Sequence, residues 1–580
     1  MPAQTATLSV EAPSPRIGAG RSLAEPFIHH AVMLLCVALV MVPLGPLLLQ
    51  AFSPVPLYAW QGTLTLGNFH TLFGLPEILE LAGNTLLFCA IAIIFSMVFG
   101  IALAIVVART NIPARGLLTS ILLWPIFVSP LVIGFGAILT YGPTGYITTL
   151  VTRLTGISEP WNIYSLSGLS LISGLSMAPM TILYCLSSAR QQDPRLEQAA
   201  QVAGASPVRI MRRITLPMMR PALIFSLAMN IVAALEMFAI PLLLGAPSGI
   251  QLLTTFIYDK GFEAGRPDYG LVSAAALVLL VLVTLLVAAQ TFVLRRSHRF
   301  LSVGPKGTRM QVMDLGAWKW WVFGATSAYV LLGIVALVFG LFLRSFVMVL
   351  SPYINPIDVL TLKNYQDVLF NPSYRRAIWN TVLIAIGGAF AGTVIIGMIA
   401  FVAQRSNYRF ARLLDLTVQL PRAVPGLIVS LGVFYAVIFI PGLSLLGGTL
   451  WVLAFAYIIR HLPAGYGIVA PAMLQVTKDF DRAAGVAGAS WMITMRRIVA
   501  PILKPAFLSC FALLMILFFK EYAAAIFLYR PGNEVISMAM LNAWVPGYTG
   551  IVASLAVIQI VLTSLLLLVF TRLFGVKLHG

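Results

Sequence analysis

Long apolar runs separated by short polar segments cover almost the whole of this chain. Each run has about 20 residues or more, the length that an α-helix needs to cross the ~30 Å hydrocarbon core of a membrane. The runs do not alternate apolar and polar residues, so they predict helices rather than the strands of a barrel. We expect twelve spans, near residues 30–52, 80–108, 117–141, 165–187, 222–245, 270–294, 318–343, 378–403, 411–437, 447–470, 505–529 and 552–574.

The composition supports an all-α polytopic membrane protein. Hydrophobic residues make up 59% of the chain, charged residues only 10%, and the mean hydropathy is +0.95. Soluble domains carry roughly 25% charged residues, so this class is excluded. All four cysteines fall inside predicted spans without the spacing of a metal site, and we expect them to be packing residues: Cys36, Cys89, Cys185 and Cys510.

The net charge of +18 indicates an orientation in the membrane. With a cytoplasmic start, the loops after even-numbered spans lie inside, and the positive-inside rule places Lys and Arg there. Those loops hold Arg109, Arg115, Arg295, Arg296, Arg299, Lys306, Arg309, Arg405, Arg409 and Arg412. Arg375 and Arg376 are exceptions, before the eighth span on the outer side. We therefore expect both termini in the cytoplasm and the lipid bilayer as partner. Nucleic acid is not expected, because stacking aromatics and a recognition fold do not accompany the charges.

One polar, basic segment is written twice in the chain. Residues 197–221 are EQAAQVAGASPVRIMRRITLPMMRP and residues 481–505 are DRAAGVAGASWMITMRRIVAPILKP. Gly204 and Gly488 mark their common offset of 284 residues (488 − 204). We call these segments the first and second islands. Such repetition indicates two equivalent halves.

Other features repeat in the same order in both halves. Asn84-Thr85 near the second span corresponds to Asn380-Thr381 near the eighth, and prolines interrupt the third and ninth spans. This order predicts a parallel repeat about an axis along the membrane normal. We expect a cytoplasmic tail at 1–29, a first transmembrane domain at 30–299, a cytoplasmic linker at 300–317 and a second transmembrane domain at 318–580.

Each island predicts a short helix-turn-helix outside the membrane. Ser206 and Ser490 can cap the second helix, and Gly204 and Gly488 permit a sharp turn or close contact with another backbone. Small residues on one face would suit docking into a groove on another protein: Ala199, Ala200, Ala483 and Ala484. The alternative is a solvated loop whose arginines anchor it at lipid headgroups, and the second copy makes that alternative weaker.

The islands resemble the EAA loop in permease subunits of binding-protein-dependent ABC importers. The pattern is Glu-Ala-Ala, three residues, Gly, nine residues, Ile, any residue and Leu-Pro; the first island matches at Ala199, Ala200, Gly204, Ile214, Leu216 and Pro217. The second matches at Ala483, Ala484, Gly488, Ile498 and Pro501, with Ala500 for Leu. Gln198 and Arg482 stand where the family has Glu, beside Glu197 and Asp481. In each island the acid therefore stands one residue before the family's Glu position.

The resemblance implies a type I importer fold, a permease in a bacterial inner membrane, and coupling of the islands to ATPases. It implies two cytoplasmic ATPase subunits and an external solute-binding protein. The expected coupling residues are Glu197, Gln198, Ala199, Ala200, Gly204, Ala205, Ser206, Asp481, Arg482, Ala483, Ala484, Gly488, Ala489 and Ser490. The fused twelve-span form resembles ferric-iron permeases most, with weaker similarity at residues 162–165 and 236–245. Thiamine, polyamine, sulfate and phosphonate permeases share the outline and remain alternatives.

The chain lacks the GxxxxGK[ST] loop that cradles nucleotide phosphates, so ATP and Mg are expected on the partner and no cofactor on this chain. We therefore expect a transport subunit rather than an enzyme. A secondary transporter driven by an ion gradient also has twelve spans in two halves, but it leaves the islands unexplained. A structural membrane scaffold is a third class without a positive feature.

Ionisable residues inside spans are costly and therefore functional candidates. Glu236 in the fifth span and Glu521 in the eleventh lie at nearly equivalent positions, and Arg422 lies in the ninth. One hypothesis is that they line the translocation path, where carboxylates can meet a cation. The other is an internal ion pair, such as Glu521 with Arg422, that fixes the packing of the spans. The sequence leaves both open.

Overall fold

A computed structural model describes residues 24–192, 194–263, 267–297, 312–348 and 356–574 of the chain. These residues form α-helices joined by 3-10 and π turns, and the described part has isolated β-bridges but no β-strand. The helices of the first half are α1 Ala24–Ala51, α2 Gly67–Phe73, α3 Ile78–Arg109, α4 Arg115–Leu123, α5 Pro130–Tyr141, α6 Tyr146–Thr155, α7 Leu166–Gln191, α8 Pro194–Val202, α9 Pro207–Ile210, α10 Leu216–Met218, α11 Arg220–Glu236, α12 Leu253–Tyr258 and α13 Tyr269–Ser297.

The second half has a matching series. Its helices are α14 Trp318–Val330, α15 Ala336–Ser345, α16 Lys363–Phe370, α17 Pro372–Leu383, α18 Ala389–Arg405, α19 Ala411–Thr417, α20 Gly426–Phe439, α21 Leu450–Gln475, α22 Asp479–Val486, α23 Trp491–Thr494, α24 Ala500–Ile502, α25 Lys504–Phe519, α26 Ile536–Trp544 and α27 Thr549–Phe574. The first half carries the extra helix α6 in its outer loop, where the second has the 3-10 turn Leu443–Leu446.

Nine described helices are long and apolar enough to cross a membrane, and thirteen spans result if each sharply bent pair counts as one. The twelve predicted spans fall in this range. The ninth is bent by 108° between Ala411–Ala423 and Gly426–Phe439, at the predicted proline break. The fifth and eleventh predicted spans are too long, because α11 ends at Glu236 and α25 at Phe519 although the apolar sequence continues. Hydropathy does not detect these helix ends.

The repeat is visible in equivalent hydrogen bonds. Asn68 donates its side-chain amide to the carbonyls of Ala51 and Ser53 at 2.9 and 2.8 Å, fixing α2 to the end of α1. Asn364 donates in the same way to Ser345 and Val347 at 3.0 and 3.1 Å. Because side-chain bonds recur with the helices, the two halves share their local packing as well as their helix order.

The first helix of each half packs on the other half. Helix α1 lies along α20, and α15 lies along α5 as well as α27. Both crossings are close: a Cβ on Gly432 would collide with the carbonyl oxygen of Pro43, and one on Gly136 would lie 2.9 Å from that of Leu337. Glycine lets the backbones meet there, as is common between helices in membranes.

One of the two outer-side exceptions to the charge rule, Arg376, has a local partner. The guanidinium of Arg376 donates to both carboxylate oxygens of Glu534 at 2.7 and 2.8 Å. Glu534 is 8% exposed and Arg376 44% exposed. A paired arginine of this kind is a structural residue, so it does not contradict the predicted orientation.

Candidate functional site

Both islands fold as the predicted helix-turn-helix. Helices α8 and α22 end at glycines in the left-handed region, with φ of +79° at Gly204 and +77° at Gly488. The next N–H groups, of Ala205 and Ala489, return to the carbonyls of Ala200 and Ala484 at 2.9 Å in each copy. This is the helix ending that glycine favours, because a Cβ opposes positive φ. Space for a Cβ is open within 4 Å of both glycines, so they serve the turn rather than a close contact.

The second helix of each island continues into a span through the same irregular turn. The π turns Met211–Thr215 and Met495–Val499 occupy equivalent positions, and the chain then bends by 63° and 74° into α11 and α25. Ser490 accepts the N–H of Ile493 at 3.5 Å as the predicted cap of α23. Ser206 lies exposed at the start of α9, and its carbonyl accepts the N–H of Ile210 at 3.0 Å.

An arginine at the end of a span holds each island by its first acidic residue. Arg109, the last residue of α3, lies 3.4 Å from Glu197, and its side chain is 2% exposed. Glu197 also accepts the hydroxyl of Thr215 at 2.8 Å. Arg405, the last residue of α18, lies 2.9 Å from Asp481 and is equally buried. We call these contacts the two anchors.

In both EAA-like segments, the acid that pairs with a buried arginine is not the residue at the family's Glu position. Gln198 and Arg482, at the family's Glu position, are exposed, and Arg482 pairs on the surface with Asp479 at 3.2 Å. The acid one residue earlier is the one that turns inward in both copies. The sequence singles out this acid, but it does not identify the partners Arg109 and Arg405. Their charges were interpreted only as signals of the orientation in the membrane.

The predicted face of small residues is wrong in detail. Ala199 and Ala483 are exposed, whereas Ala200 is half-buried and Ala484 is buried. Consecutive residues on a helix lie about 100° apart around its axis, and the second alanine of each pair is the one turned toward the protein.

Each island instead exposes an equivalent pair of larger apolar side chains. Val202 is 91% exposed and Val486 is 71% exposed, at the offset of 284 residues. Leu196 and Phe480, at the same offset, are 51% and 47% exposed.

Different segments of the chain contact the backbone of the two anchor arginines. The N–H of Met313, in the linker, donates to the carbonyl of Arg109 at 2.7 Å, and Met313 accepts the N–H of Asn111 at 3.2 Å. In the second half the indole of Trp491 donates to the carbonyl of Arg405 at 2.9 Å. His29 of α1 packs edge-on against Trp491, with ring centroids 4.7 Å apart.

A cluster of ionisable side chains joins the halves between the spans. Arg460 on α21 lies 2.8 Å from Glu236 and 3.4 Å from Glu521, so its guanidinium is shared by the two halves. His461 contacts the same oxygen of Glu521 at 2.8 Å. The four side chains are between 7% and 21% exposed. We call these four residues the central cluster.

The structure brings together Glu236 and Glu521 but not Arg422. Arg422 is exposed in the 3-10 turn Leu420–Ala423 and donates weakly to the sulfur of Met229 at 3.7 Å. The suggested pair of Glu521 with Arg422 is therefore wrong, and Arg460 and His461 take its place. Glu521 also lies beyond the end of α25, where it accepts the N–H groups of Tyr522 and Ala524 at 3.2 and 3.0 Å.

Arg460 and His461 were missed although a signal exists. They lie within Leu450–Gln475, an apolar segment that was itself predicted as a span. The rule that singled out Glu236 applies to them equally. Among the described residues there is no group of three or more His, Cys, Asp or Glu that could hold a metal ion.

Comparison with known proteins agrees with this geometry. Residues 20–299 and 392–576 match the family described as binding-protein-dependent transport system inner membrane component. The ferric transport system permease protein FbpB of Actinobacillus pleuropneumoniae is 26% identical over 87% of this chain and 72% of its own length. The sulfate transport system permease protein CysW of Escherichia coli (strain K12) is 29% identical over 44% of this chain and 82% of its own.

Among solved structures, a bacterial ABC transporter involved in the import of the acidic polysaccharide alginate is 23% identical over 41% of this chain and 85% of its own, with a TM-score of 0.36. The family match covers more than half of the chain and falls in both halves. The importer interpretation is confirmed, and the four cysteines are free and buried as expected. This multi-pass membrane protein belongs to the binding-protein-dependent transport system inner membrane component family and is an ABC importer permease with two fused halves.

Proposed function

We propose that the chain forms the translocation path of an importer for ferric iron. The observation that carries the proposal is the similarity to a ferric transport permease over 87% of the chain, through both halves. Similarity to the sulfate permease extends over 44% of the chain. Sulfate, phosphonate, thiamine and polyamine remain the alternative substrates.

Two cytoplasmic ATPase subunits would supply the energy, one on each island. The exposed pair Val202 and Leu196 supports this on α8, and Val486 and Phe480 support it on α22. An amphipathic helix that presents such residues fits a groove on a partner. ATP and Mg would be held by the ATPases, because this chain has no phosphate-binding loop.

The anchors offer a route from the ATPases to the membrane. A force on α8 reaches α3 through Glu197 and Arg109, and a force on α22 reaches α18 through Asp481 and Arg405. Each island also continues through a π turn into α11 or α25. Movement of the ATPases would therefore shift two spans in each half.

The orientation follows from the charge pattern. The islands and both termini would face the cytoplasm of a bacterial cell, and a solute-binding protein would deliver the substrate on the outer side of the inner membrane. Of the predicted tail at 1–29 and the predicted linker at 300–317, only residues 24–29 and 312–317 are among the described residues.

Uptake of radiolabelled ferric iron, under iron limitation, tests the proposal in cells with and without the gene. Thiamine, a polyamine, sulfate and a phosphonate serve as parallel labelled solutes. We expect loss of iron uptake alone, restored by the intact gene and not by a variant carrying Gly488→Val. Unchanged iron uptake with loss of another solute would reassign the substrate within the same importer architecture.

A further inference from the structure

Arg460 is shared unequally between the two halves. From the second half it contacts Glu521 at 3.4 Å and donates to the carbonyl of Val424 at 3.3 Å. From the first half it contacts Glu236 at 2.8 Å, and this is the ion pair that the described residues give Glu236. Separation of the halves would therefore break one ion pair of Arg460 and keep its other contacts.

The remaining members of the central cluster form a unit within the second half. Glu521 is held by His461 and by the N–H groups of Tyr522 and Ala524. These contacts do not depend on the first half. They keep Arg460 next to a carboxylate, which avoids the cost of an unpaired charge away from water.

The cluster lies near the middle of the predicted membrane thickness, at a contact between the two halves. Arg460 is ten residues beyond Leu450, the start of α21 on the predicted outer side. At 1.5 Å per residue this is about 15 Å along the helix, roughly half of the ~30 Å hydrocarbon core. Two further hydrogen bonds join the halves beside the cluster. Lys520 donates to the carbonyl of Ile126 at 2.7 Å, and the N–H of Ala239 donates to the hydroxyl of Tyr522 at 3.4 Å.

The end of α11 brings Glu236 to this position. Glu236 is its last residue, and Met237 leaves the helix with an extended backbone at φ −62° and ψ 122°. The hydroxyl of Thr254 donates to the carbonyl of Met237 at 2.8 Å, which holds the break. The carboxylate is therefore fixed at a helix end that moves with the first half.

From these contacts we propose that Arg460 and Glu236 form a latch that closes the translocation path, an inference that rests on the proposed importer function. Parting of the two halves breaks the latch at Glu236 and leaves Arg460 with Glu521 and the carbonyl of Val424. The path is closed while the latch is intact. Glu236 is the moving half of the latch, and Glu521 is the partner that Arg460 keeps when the halves part.

Passive ion efflux tests the latch without substrate, ATPase or binding protein. Liposomes containing the full chain are loaded with potassium chloride, and efflux is followed for wild type, Glu236→Gln and Glu521→Gln. A loss of ~1.4 kcal/mol from the closed state raises the open population about tenfold. We expect about tenfold faster efflux for Glu236→Gln and efflux near wild type for Glu521→Gln, since the latter leaves the contact between the halves.

A matched control is Arg376→Met, which breaks the ion pair with Glu534 inside the second half. It should leave efflux at the wild-type rate. Efflux from Glu236→Gln at the wild-type rate, in protein with an unchanged circular dichroism spectrum, would overturn the latch. Equal leakage from Glu521→Gln would also overturn it, because it would show general loosening. A negative iron-uptake result leaves this readout untouched, so failure of the substrate proposal is distinguishable from failure of the latch.

Discussion

Asp481 and Arg405 meet at 2.9 Å at the point where α18 ends beneath the second island. Arg405 also donates to the carbonyls of Met473, at 2.7 Å, and Val476. One buried guanidinium thus connects a span, the end of α21 and the helix proposed to meet the ATPase. The equivalent residues Arg109 and Glu197 connect the first half in the same way.

Asp481→Ala should destabilise the chain by about 1–3 kcal/mol, because it leaves a buried arginine without its counter-ion while the carbonyl contacts remain. The measurement is thermal unfolding of the purified chain in detergent. Arg482→Ala is the matched control on the same helix, since Arg482 and Asp479 are 79% and 76% exposed and such pairs contribute little. Equal melting temperatures for the two variants would contradict the role of the anchor.

Gly488→Val should impair uptake while membrane insertion stays normal. A Cβ meets open space there, but a β-branched residue at φ +77° is strained by roughly 1–3 kcal/mol, and the turn between α22 and α23 would change. The measurement is substrate uptake normalised to the amount of protein in the membrane. Gly485→Ala, inside α22 and also with open space at its Cβ, should retain uptake. Full uptake by Gly488→Val would show that the turn is not needed for coupling.

Much of this architecture follows from the sequence because it rests on periodicity and repetition. Three local features of the sequence predict it: the repeated glycine turn, the proline break at 421–425 and the extra outer segment of the first half. The packing of α1 on α20 is different, because it joins residues such as Pro43 and Gly432 that are far apart in sequence. A pattern of apolar residues gives no information about which other helix a span contacts.

The candidate site was predicted only in part, because the sequence shows local features but not which distant residues contact each other. The offset of Glu197 and Asp481 identifies them as equivalent acids. The charges of their partners Arg109 and Arg405 were already explained by the positive-inside rule, so nothing in the sequence pointed to the pairing. The fifth predicted span continues past Glu236 because the residues that follow are apolar. The helix α11 nevertheless ends at Glu236, where the backbone becomes extended. Pairing across the halves, as between Arg460 and Glu236, is a tertiary property.

Gly432→Ala should destabilise the chain by about 3 kcal/mol or more, because the added Cβ falls on the carbonyl oxygen of Pro43 and pushes α1 away from α20. Thermal unfolding in detergent measures the change. Gly467→Ala on α21 is the control, since its Cβ would meet open space, and it should melt with the wild type or above it. A wild-type melting temperature for Gly432→Ala would mean that α1 does not pack closely on the other half.

Val202→Asp and Val486→Asp should each weaken retention of the ATPase without changing the melting temperature of the chain. Both valines are largely exposed, so the free chain loses little packing, whereas an aspartate in an apolar contact with a partner costs about 1–3 kcal/mol, or about 5- to 150-fold in affinity. The measurement is the amount of ATPase that copurifies with the chain. The double variant should retain least, since two sites act together.

Val545→Asp provides the matched control for these two substitutions. Val545 is 85% exposed, follows α26 and lies on the predicted outer side of the second half. The same change of charge there should leave the ATPase bound. Loss of ATPase from all three variants would point to a general effect of the added carboxylate, whereas retention by the double island variant would place the ATPase contact elsewhere on the cytoplasmic surface.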